Sequence, residues 1–509
     1  MSKLTQNNSQ GNKNSNKVLI TVFIMITTIM QVMDMTIANV ALPHIKGSLS
    51  ASKDQISWIL TSYIISAAIM TQPISWLADR FGRKKIFLIS VIGFTISSAL
   101  CGLSTSIIEI VIFRILQGIF GAALVPLSCS ILLDINPKEK HGSAMAIWGV
   151  GVMIGPIIGP VVGGYLTEYY NWRWVFYINV PLGIISSFGI IYCLPESKII
   201  KKSFNFIGFS LLSISIASLQ LFLDRGQNLD WFNSHEIIIY FALMIISLWM
   251  FIISNIYSSK PFISYKLFKD SNFILSTIII SVISIVFMST LSLLPSFLGD
   301  LMGYTVLDVG LLIAPRGVGS MFAMMLVGKI INKIDSRLIV TVGLLLMIYA
   351  LYQLSNFSTF VPKEMIIFSG IINGLGIGFI FVPLSTIAFS TIANENRNEA
   401  SAFFSLMRNI GSSVGVSIVT FLLVRNIQIN HSYLAESINK SKFWILQHYS
   451  PQFLNSKDAM DMIIDKNINI QAETISYIDN FKIMMICIIF LMPLLLLKNP
   501  NKTAKKYSN

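Results

Sequence analysis

Hydrophobic and polar positions along this chain come in long blocks. Apolar runs of roughly twenty residues recur from Val18 almost to the C-terminal end, separated by short polar segments. A helix rises about 1.5 Å per residue, so each run can cross the ~30 Å hydrocarbon core of a bilayer. The blocks predict fourteen helical spans, near 18–41, 55–77, 86–104, 107–132, 142–166, 175–194, 204–223, 237–257, 273–294, 309–331, 338–354, 365–391, 402–424 and 481–497. An even number of spans places both chain ends on one side of the membrane.

Composition supports this reading. Of 509 residues, 54% are hydrophobic and 12% charged, about half the charge share of a soluble domain. Mean hydropathy is +0.70. The fold class is therefore an all-α polytopic membrane protein. The net charge of +13 does not point to nucleic acid, because the basic residues are not gathered on one soluble module. They lie between the apolar runs. Arg80, Arg83, Lys84, Lys85, Lys198, Lys201 and Lys202 all fall on the side of the N-terminal tail. That bias puts both termini in the cytoplasm. Cys101, Cys129, Cys193 and Cys487 lie in apolar segments and read as small buried hydrophobes. The five histidines are scattered without metal-ligand spacing, so no metal site is expected. The Asn- and Ser-rich tail, residues 1–17, reads as disordered. The run behind it is too long for a signal peptide and reads as a retained first span.

The two ends of the chain echo each other. "VPLS" occurs at Val125–Ser128 and again at Val382–Ser385. "SWLADRFGRK" from Ser75 has a polar echo in "GKIINKIDSR" from Gly328, and "GVMIG" from Gly151 has one in "GSSVG" from Gly411. The offsets run from 253 to 260 residues, which pairs spans 1–6 with spans 9–14 and leaves spans 7 and 8 as an insert. The expected organisation is a tail at 1–17, a six-helix half at 18–203 and two inserted helices at 204–257. A second six-helix half at 258–497 follows, with an outer segment at 425–480, and then a tail at 498–509. Related halves around a midplane site are the usual build of secondary transporters.

Two charged residues interrupt the apolar runs. Asp34 stands in "QVMDMTIANVALP" with no basic residue near it in sequence. A charge at a helix centre costs about 2.5–3.5 kcal/mol on insertion scales, so such an acid is a functional candidate. Thr27, Gln31, Asp34, Ala38 and Ala41 recur at steps of three and four and form one stripe facing the bundle interior. An acid held away from water can take and lose a proton in the working range. If it also attracted a cationic substrate, the two would compete for it. Arg114 shares a face of the fourth span with Gln117, Gly121 and Ser128. It stays charged, so it can tune a nearby acid or anchor helices but not carry the proton. Arg316 and Arg408 lie nearer the ends of their predicted spans, where they can snorkel.

In the fifth span Gly151, Gly155, Gly159 and Gly163 repeat every four residues, with Gly164 beside them and Pro156 and Pro160 among them. Small residues at that spacing let helices pack backbone to backbone, and the prolines remove donors. In the loop after span two, Asp79 is expected at a helix terminus and Arg83 paired with Asp134 of span four. With Arg80 and Gly82 they would form a latch favouring an outward-facing state. The acids at 458, 461 and 465 read as a solvated helix face rather than a metal site.

Several stretches resemble one family. "LADRFGRKK", "FRILQG" and "GVGVMIGPIIGPVVGG" resemble the loop, second and antiporter motifs of the major facilitator superfamily. "MDMTIANVALP" and "NWRWVFYINVPLG" resemble its fourteen-span drug:proton antiporter branch. "LFLDRGQNLDWFNSHEI" and "SLMRNIGSSVG" are similar to the EmrB/QacA group, nearer EmrB. Ser75 departs from the loop motif, which opens with glycine. The resemblance implies a transporter, not an enzyme, with two six-helix halves plus two inserted helices. It implies export of amphipathic or lipophilic toxic compounds driven by the proton motive force, without a cofactor. It also implies a role in antiport for the glycine motif. For EmrB-like members it implies an inner-membrane location and contact, through 425–480, with a periplasmic adaptor and an outer-membrane channel; QacA-like pumps act without one. An exporter of one metabolite, such as a siderophore or fatty acid, would use the same machinery. An intramembrane enzyme or sensor is disfavoured, since the loops carry no clustered acids or histidines and no soluble output domain.

Overall fold

The computed structural model describes residues 2–492 apart from 138–139, 197–198, 200–203, 227–228, 259–260, 332, 394–395 and 449–456. Side chains are described for these residues except 2–16, 53–54, 266, 306, 438–448, 457–461 and 463. Among the described residues every regular element is a helix. In chain order these are α1 (Ser2–Ser48), α2 (Lys53–Thr71), α3 (Ile74–Phe81), α4 (Arg83–Leu103), α5 (Ile107–Gly121) and α6 (Leu124–Ile135). Next come α7 (His141–Tyr169), α8 (Trp174–Tyr177), α9 (Asn179–Cys193), α10 (Phe206–Gly226), α11 (His235–Tyr257) and α12 (Tyr265–Lys269). The chain closes with α13 (Ser271–Ser296), α14 (Val306–Ile330), α15 (Ser336–Leu354), α16 (Lys363–Ser390), α17 (Arg397–His448) and α18 (Lys457–Ile489).

Among the described residues twelve segments are long and apolar enough to cross a membrane, and the shorter apolar helix Gln55–Thr71 joins them. The last expected span, 481–497, falls on the end of α18 and is described as far as Met492. Three expected spans are broken helices. The second divides at Pro73 between α2 and α3, and the fourth at Ala122–Ala123 between α5 and α6. The sixth divides at Ile178 between α8 and α9. Pro126 and Pro181 each sit in the first turn after the break, where a missing N–H is tolerated. Side-chain oxygens of Ser52, Ser106, Asp270, Thr305 and Asp335 cap α2, α5, α13, α14 and α15. Ser52 and Gln55 form a capping box on α2, with bonds of 3.2 and 3.0 Å.

Packing repeats along the chain. In the first half α1 packs on α7 and α9, α5 packs on α2 and α4, and α4 packs on α9. In the second half α13 packs on α17 and α18, α16 packs on α14 and α15, and α15 packs on α18. These are the same neighbours shifted by eight spans, and α10 and α11 pack on each other between the halves. The outer surface is apolar, with Ile92, Ile96 and Leu103 on α4 and Trp249 and Ile252 on α11 all exposed. Only 17% of the apolar window of α11 is buried, so this helix faces lipid over most of its surface.

Helix α7 sits between the halves. Its glycine face lies on α1: a Cβ on Gly155 would stand 2.7 Å from the Met33 nitrogen and 2.8 Å from the Val32 carbonyl carbon. A Cβ on Gly163 would stand 2.8 Å from Ile37. The opposite face runs antiparallel along α14. Ser143 donates to the Gly328 carbonyl at 3.2 Å, and Ile157 and Val161 fill the notches at Gly317 and Gly310.

Helix α1 begins at Ser2, ahead of the expected first span. Within 425–480, α17 runs on to His448 and α18 starts at Lys457, with residues 449–456 outside those described and Asn430 donating to Ser476 at 3.0 Å. The expectation that all four cysteines are buried needs correction: Cys193 is half-buried and Cys487 exposed, as apolar positions on the lipid face are. Asp465 accepts from or pairs with His431 at 3.1 Å, and the Asp458 and Asp461 side chains lie outside the described ones.

The α1–α7 contact yields a prediction. Gly155→Ala places a methyl against backbone that cannot step aside, and lowers stability by about 1–3 kcal/mol. Gly47→Ala, which meets nothing within 4 Å, leaves the melting temperature in detergent unchanged or slightly higher.

Candidate functional site

Asp34 is fully buried, and its partner comes from 80 residues away. Arg114 Nη1 on α5 donates to Asp34 Oδ2 at 2.6 Å. Gln117 Nε2, one turn further along α5, donates to Oδ1 at 2.9 Å. Asn179 Nδ2, the first residue of α9, donates to the same oxygen at 2.9 Å. Three donors on two oxygens suit a carboxylate, which only accepts.

The arginine is equally well held. Its Nε donates to the Ile59 carbonyl of α2 at 3.1 Å, and its Nη1 also reaches Gln117 Oε1 at 2.7 Å. The Tyr63 ring lies 4.3 Å from the guanidinium carbon and covers its face. Arg114, Gln117, Asn179 and Asp34 have no solvent exposure. A second shell fixes Asn179: it donates to Ser98 Oγ at 3.0 Å, and Ser98 donates to the Phe176 carbonyl at 2.9 Å. Arg114 Nη2 and Asn179 Oδ1 are buried without a hydrogen-bond partner among the described residues, so the pair rests on the contacts to Nε, Nη1 and the two carboxylate oxygens, and removing either partner strands a charge.

Gln31, on the same stripe as Asp34, is placed differently. Its Nε2 donates to the Tyr63 hydroxyl at 3.3 Å, and it lines a cavity of about 550 Å³ between the two halves. The cavity is mostly apolar, with Met35, Leu60, Ile64, Met153, Phe287 and Phe381 in its wall. Its size fits a drug-sized ligand. Asp34 is not in that wall. In this conformation Asp34 lies behind the wall, with Gln31 between it and the cavity. The stripe on α1 turns one residue towards the cavity and the next into the half. Pro156 lines the cavity, while Gly151, Gly155, Gly159 and Gly163 face α1. Pro160 is inside α7 and Gly164 is buried.

Arg316 and Arg408 are not near their helix ends. α14 begins at Val306 and α17 at Arg397, ahead of the expected 309 and 402. Arg316 is 5% exposed, and its guanidinium lies 4.8 Å from the Phe287 ring. Arg408 lines the cavity.

A second cluster joins the halves at the end of the bundle that carries the 80–85 loop. Asp134, at the end of α6, pairs with Arg83 of α4 and, at 2.8 Å, with Arg397 Nη1 of α17. Asn398 donates to Asp79 Oδ1 at 2.7 Å and accepts from Ser130 at 2.5 Å. Ser401 donates to the Pro126 carbonyl at 2.9 Å. Gly82 turns the chain from α3 into α4 at a φ of 91°, which any side chain would resist. Arg80 lies 5.7 Å from the Trp76 ring and takes no part in the bridge. Sequence reasoning found the α3, α4 and α6 side of this cluster. Arg397 and Asn398 were not among the expected site residues, though the polar run "NENRNEA" stands where the duplication places a counterpart to the end of span four.

A family model described as Major Facilitator Superfamily matches residues 24–416. The chain belongs to the major facilitator superfamily. Multidrug export protein EmrB of Escherichia coli K12 is 35% identical over 427 residues, covering 83% of each chain. Fatty acid resistance protein FarB of Neisseria gonorrhoeae is 34% identical over 486 residues, 94% of this chain and 96% of that one. The fold is similar to that of the proton:xylose symporter XylE. The TM-score is 0.59 at 14% identity, over 93% of this chain and 95% of that one. This major facilitator protein is a multi-pass membrane transporter and not an enzyme.

Two predictions follow from the two clusters. Arg114→Met strands Asp34 and lowers stability by about 3–5 kcal/mol, and adding Asp34→Leu restores much of it; unfolding in detergent measures both. Asp134→Asn loosens the bridge between the halves. In protein whose other cysteines are serine, Cys129, 1% exposed, then reacts several times faster with a membrane-impermeant maleimide.

Proposed function

We propose that this protein exports amphipathic or lipophilic toxic compounds across the bacterial cytoplasmic membrane in exchange for protons, by alternating access. The observation that carries the reading is the buried Asp34–Arg114 pair set one side chain back from the cavity. Gln31 touches both the cavity and Tyr63, and Tyr63 covers Arg114. A proton arriving at Asp34 cancels the charge that holds Arg114 and loosens α1 from α5. Because α1 is seated on the glycine face of α7, and α7 on α14, that loosening shifts one half against the other. Each proton charge crossing the membrane potential supplies about 2.3 kcal/mol per 100 mV.

The basic-residue bias supports a cytoplasmic location for both termini and for the Asp134 cluster. The bridged state is then closed to the cytoplasm and faces outward. The α17–α18 hairpin extends to the other side. Its 52-residue first helix, at 1.5 Å per residue, is about 78 Å long, and its outer part is the proposed contact for a periplasmic adaptor leading to an outer-membrane channel. The likeness to EmrB supports that assembly. The likeness to FarB and the cationic Arg408 in the cavity favour a second reading, a dedicated exporter of one acidic metabolite such as a fatty acid.

The test is reconstitution in liposomes with an internal pH dye and an imposed gradient, followed by a panel of lipophilic cations, uncouplers and fatty acids. Proton efflux on adding a compound is expected with the wild type, and none with Asp34→Asn that is folded and monodisperse at the assay temperature. Equal efflux in both proteins would remove Asp34 as the carrier.

A further inference from the structure

The inserted helix α10 does more than join the halves. It packs on α2 of the first half and α17 of the second. Ser413 of α17 donates to Gln220 at 2.5 Å, and Ser417 donates to the Leu223 carbonyl at 2.8 Å. Gln220, Leu223 and Asp224 all line the central cavity. The insert is therefore part of the cavity wall, and it brings a carboxylate with it.

Asp224 and its neighbour Arg225 have opposite fates. Arg225 turns away and pairs with Glu236 of α11, which also accepts from Tyr240 at 2.7 Å. Asp224 is exposed to the cavity and accepts from the Thr61 hydroxyl of α2. Among the described residues it makes no ion pair. The end of α10 is pinned in this pose. Trp231 stacks edge-on against Phe421 of α17 at 5.3 Å and against Phe222 at 5.2 Å. The other charge in the cavity, Arg408, lies too deep to neutralise it. α10 and α17 run parallel, with Leu223 level with Ser417, so Arg408 is about 14 Å lower along the helix axis. The wall between them on α10 and α17 carries only uncharged side chains, among them Gln220, Ser412, Ser413 and Val416.

We propose that Asp224 recognises the positive charge of cationic amphipathic compounds, whose apolar bodies lie against Leu60, Ile64 and Phe287. The inserted helix pair is then a substrate-specificity element. This assignment rests on the exporter reading above and adds the class of cargo.

The test uses the purified full-length protein with two ions of the same size and opposite charge, tetraphenylphosphonium and tetraphenylborate. Binding of each is measured by equilibrium dialysis. The wild type is expected to prefer the cation. Asp224→Asn, which keeps the shape and the Thr61 contact, is expected to lose cation affinity about tenfold or more, with anion affinity unchanged or higher. Asp224→Glu restores the cation preference. Equal cation binding by Asp224→Asn and the wild type, at equal melting temperature, overturns the assignment. So does a wild type that prefers tetraphenylborate, which would favour an acidic cargo at Arg408. Cation binding as expected with no cation-driven proton movement in liposomes would leave Asp224 as the recognition site and count against the antiport reading alone.

Discussion

A buried ion pair dominates this molecule. Asp34 and Arg114 share the interior of one six-helix half, fully removed from solvent, and α1, α2, α4, α5 and α9 each contribute an atom to their satisfaction. Such a pair adds little net stability over an apolar substitute, since desolvation offsets most of the attraction. Its value lies in being conditional. While both charges are present, the helices that supply the donors must hold one arrangement. Neutralise one charge and the arrangement loses its reason.

The conditional element is wired to the rest of the fold by backbone contact. α1 carries the acid, and the glycine repeat of α7 lies directly on it. The other face of α7 meets α14 across the junction of the halves, bulky residues into glycine notches. Protein interiors pass on small displacements because they are close-packed. A shift of α1 therefore reaches the second half without any flexible link. The bridge around Asp134 sits at the far end of the same junction, where Arg397 and Asn398 of the second half meet Asp134 and Asp79 of the first.

Much of this was legible in the sequence, for reasons specific to membranes. Charges are rare in apolar runs, so Asp34 and Arg114 stood out, and helical spacing brought Gln31 and Gln117 with them. The glycine repeat was equally plain. Asn179, Ser98 and Tyr63 were not, because single polar residues in an apolar helix are common and only tertiary packing tells which ones meet. Asp34 and Gln31 share a stripe, yet one faces into the half and the other into the cavity. Periodicity fixes relative direction along a helix but not what lies opposite. Arg316 and Arg408 were misjudged because block edges located the helix starts several residues late. Asp224 was visible only as a letter in a family word, since nothing local says that α10 borders the cavity.

The placement of α10 also bears on where a lipophilic molecule can go. Between two rocking halves there are two lateral slots that could open to lipid. One is filled by α7 and α14 along their length; the other, between α2 and α17, is bridged by α10 at the end away from the Asp134 cluster. A greasy compound in the cavity would otherwise slide sideways there into the lipid and diffuse back. With that flank shuttered, its way out is upward into water, towards the long hairpin of α17 and α18, and a futile cycle through the lipid is cut off on that side.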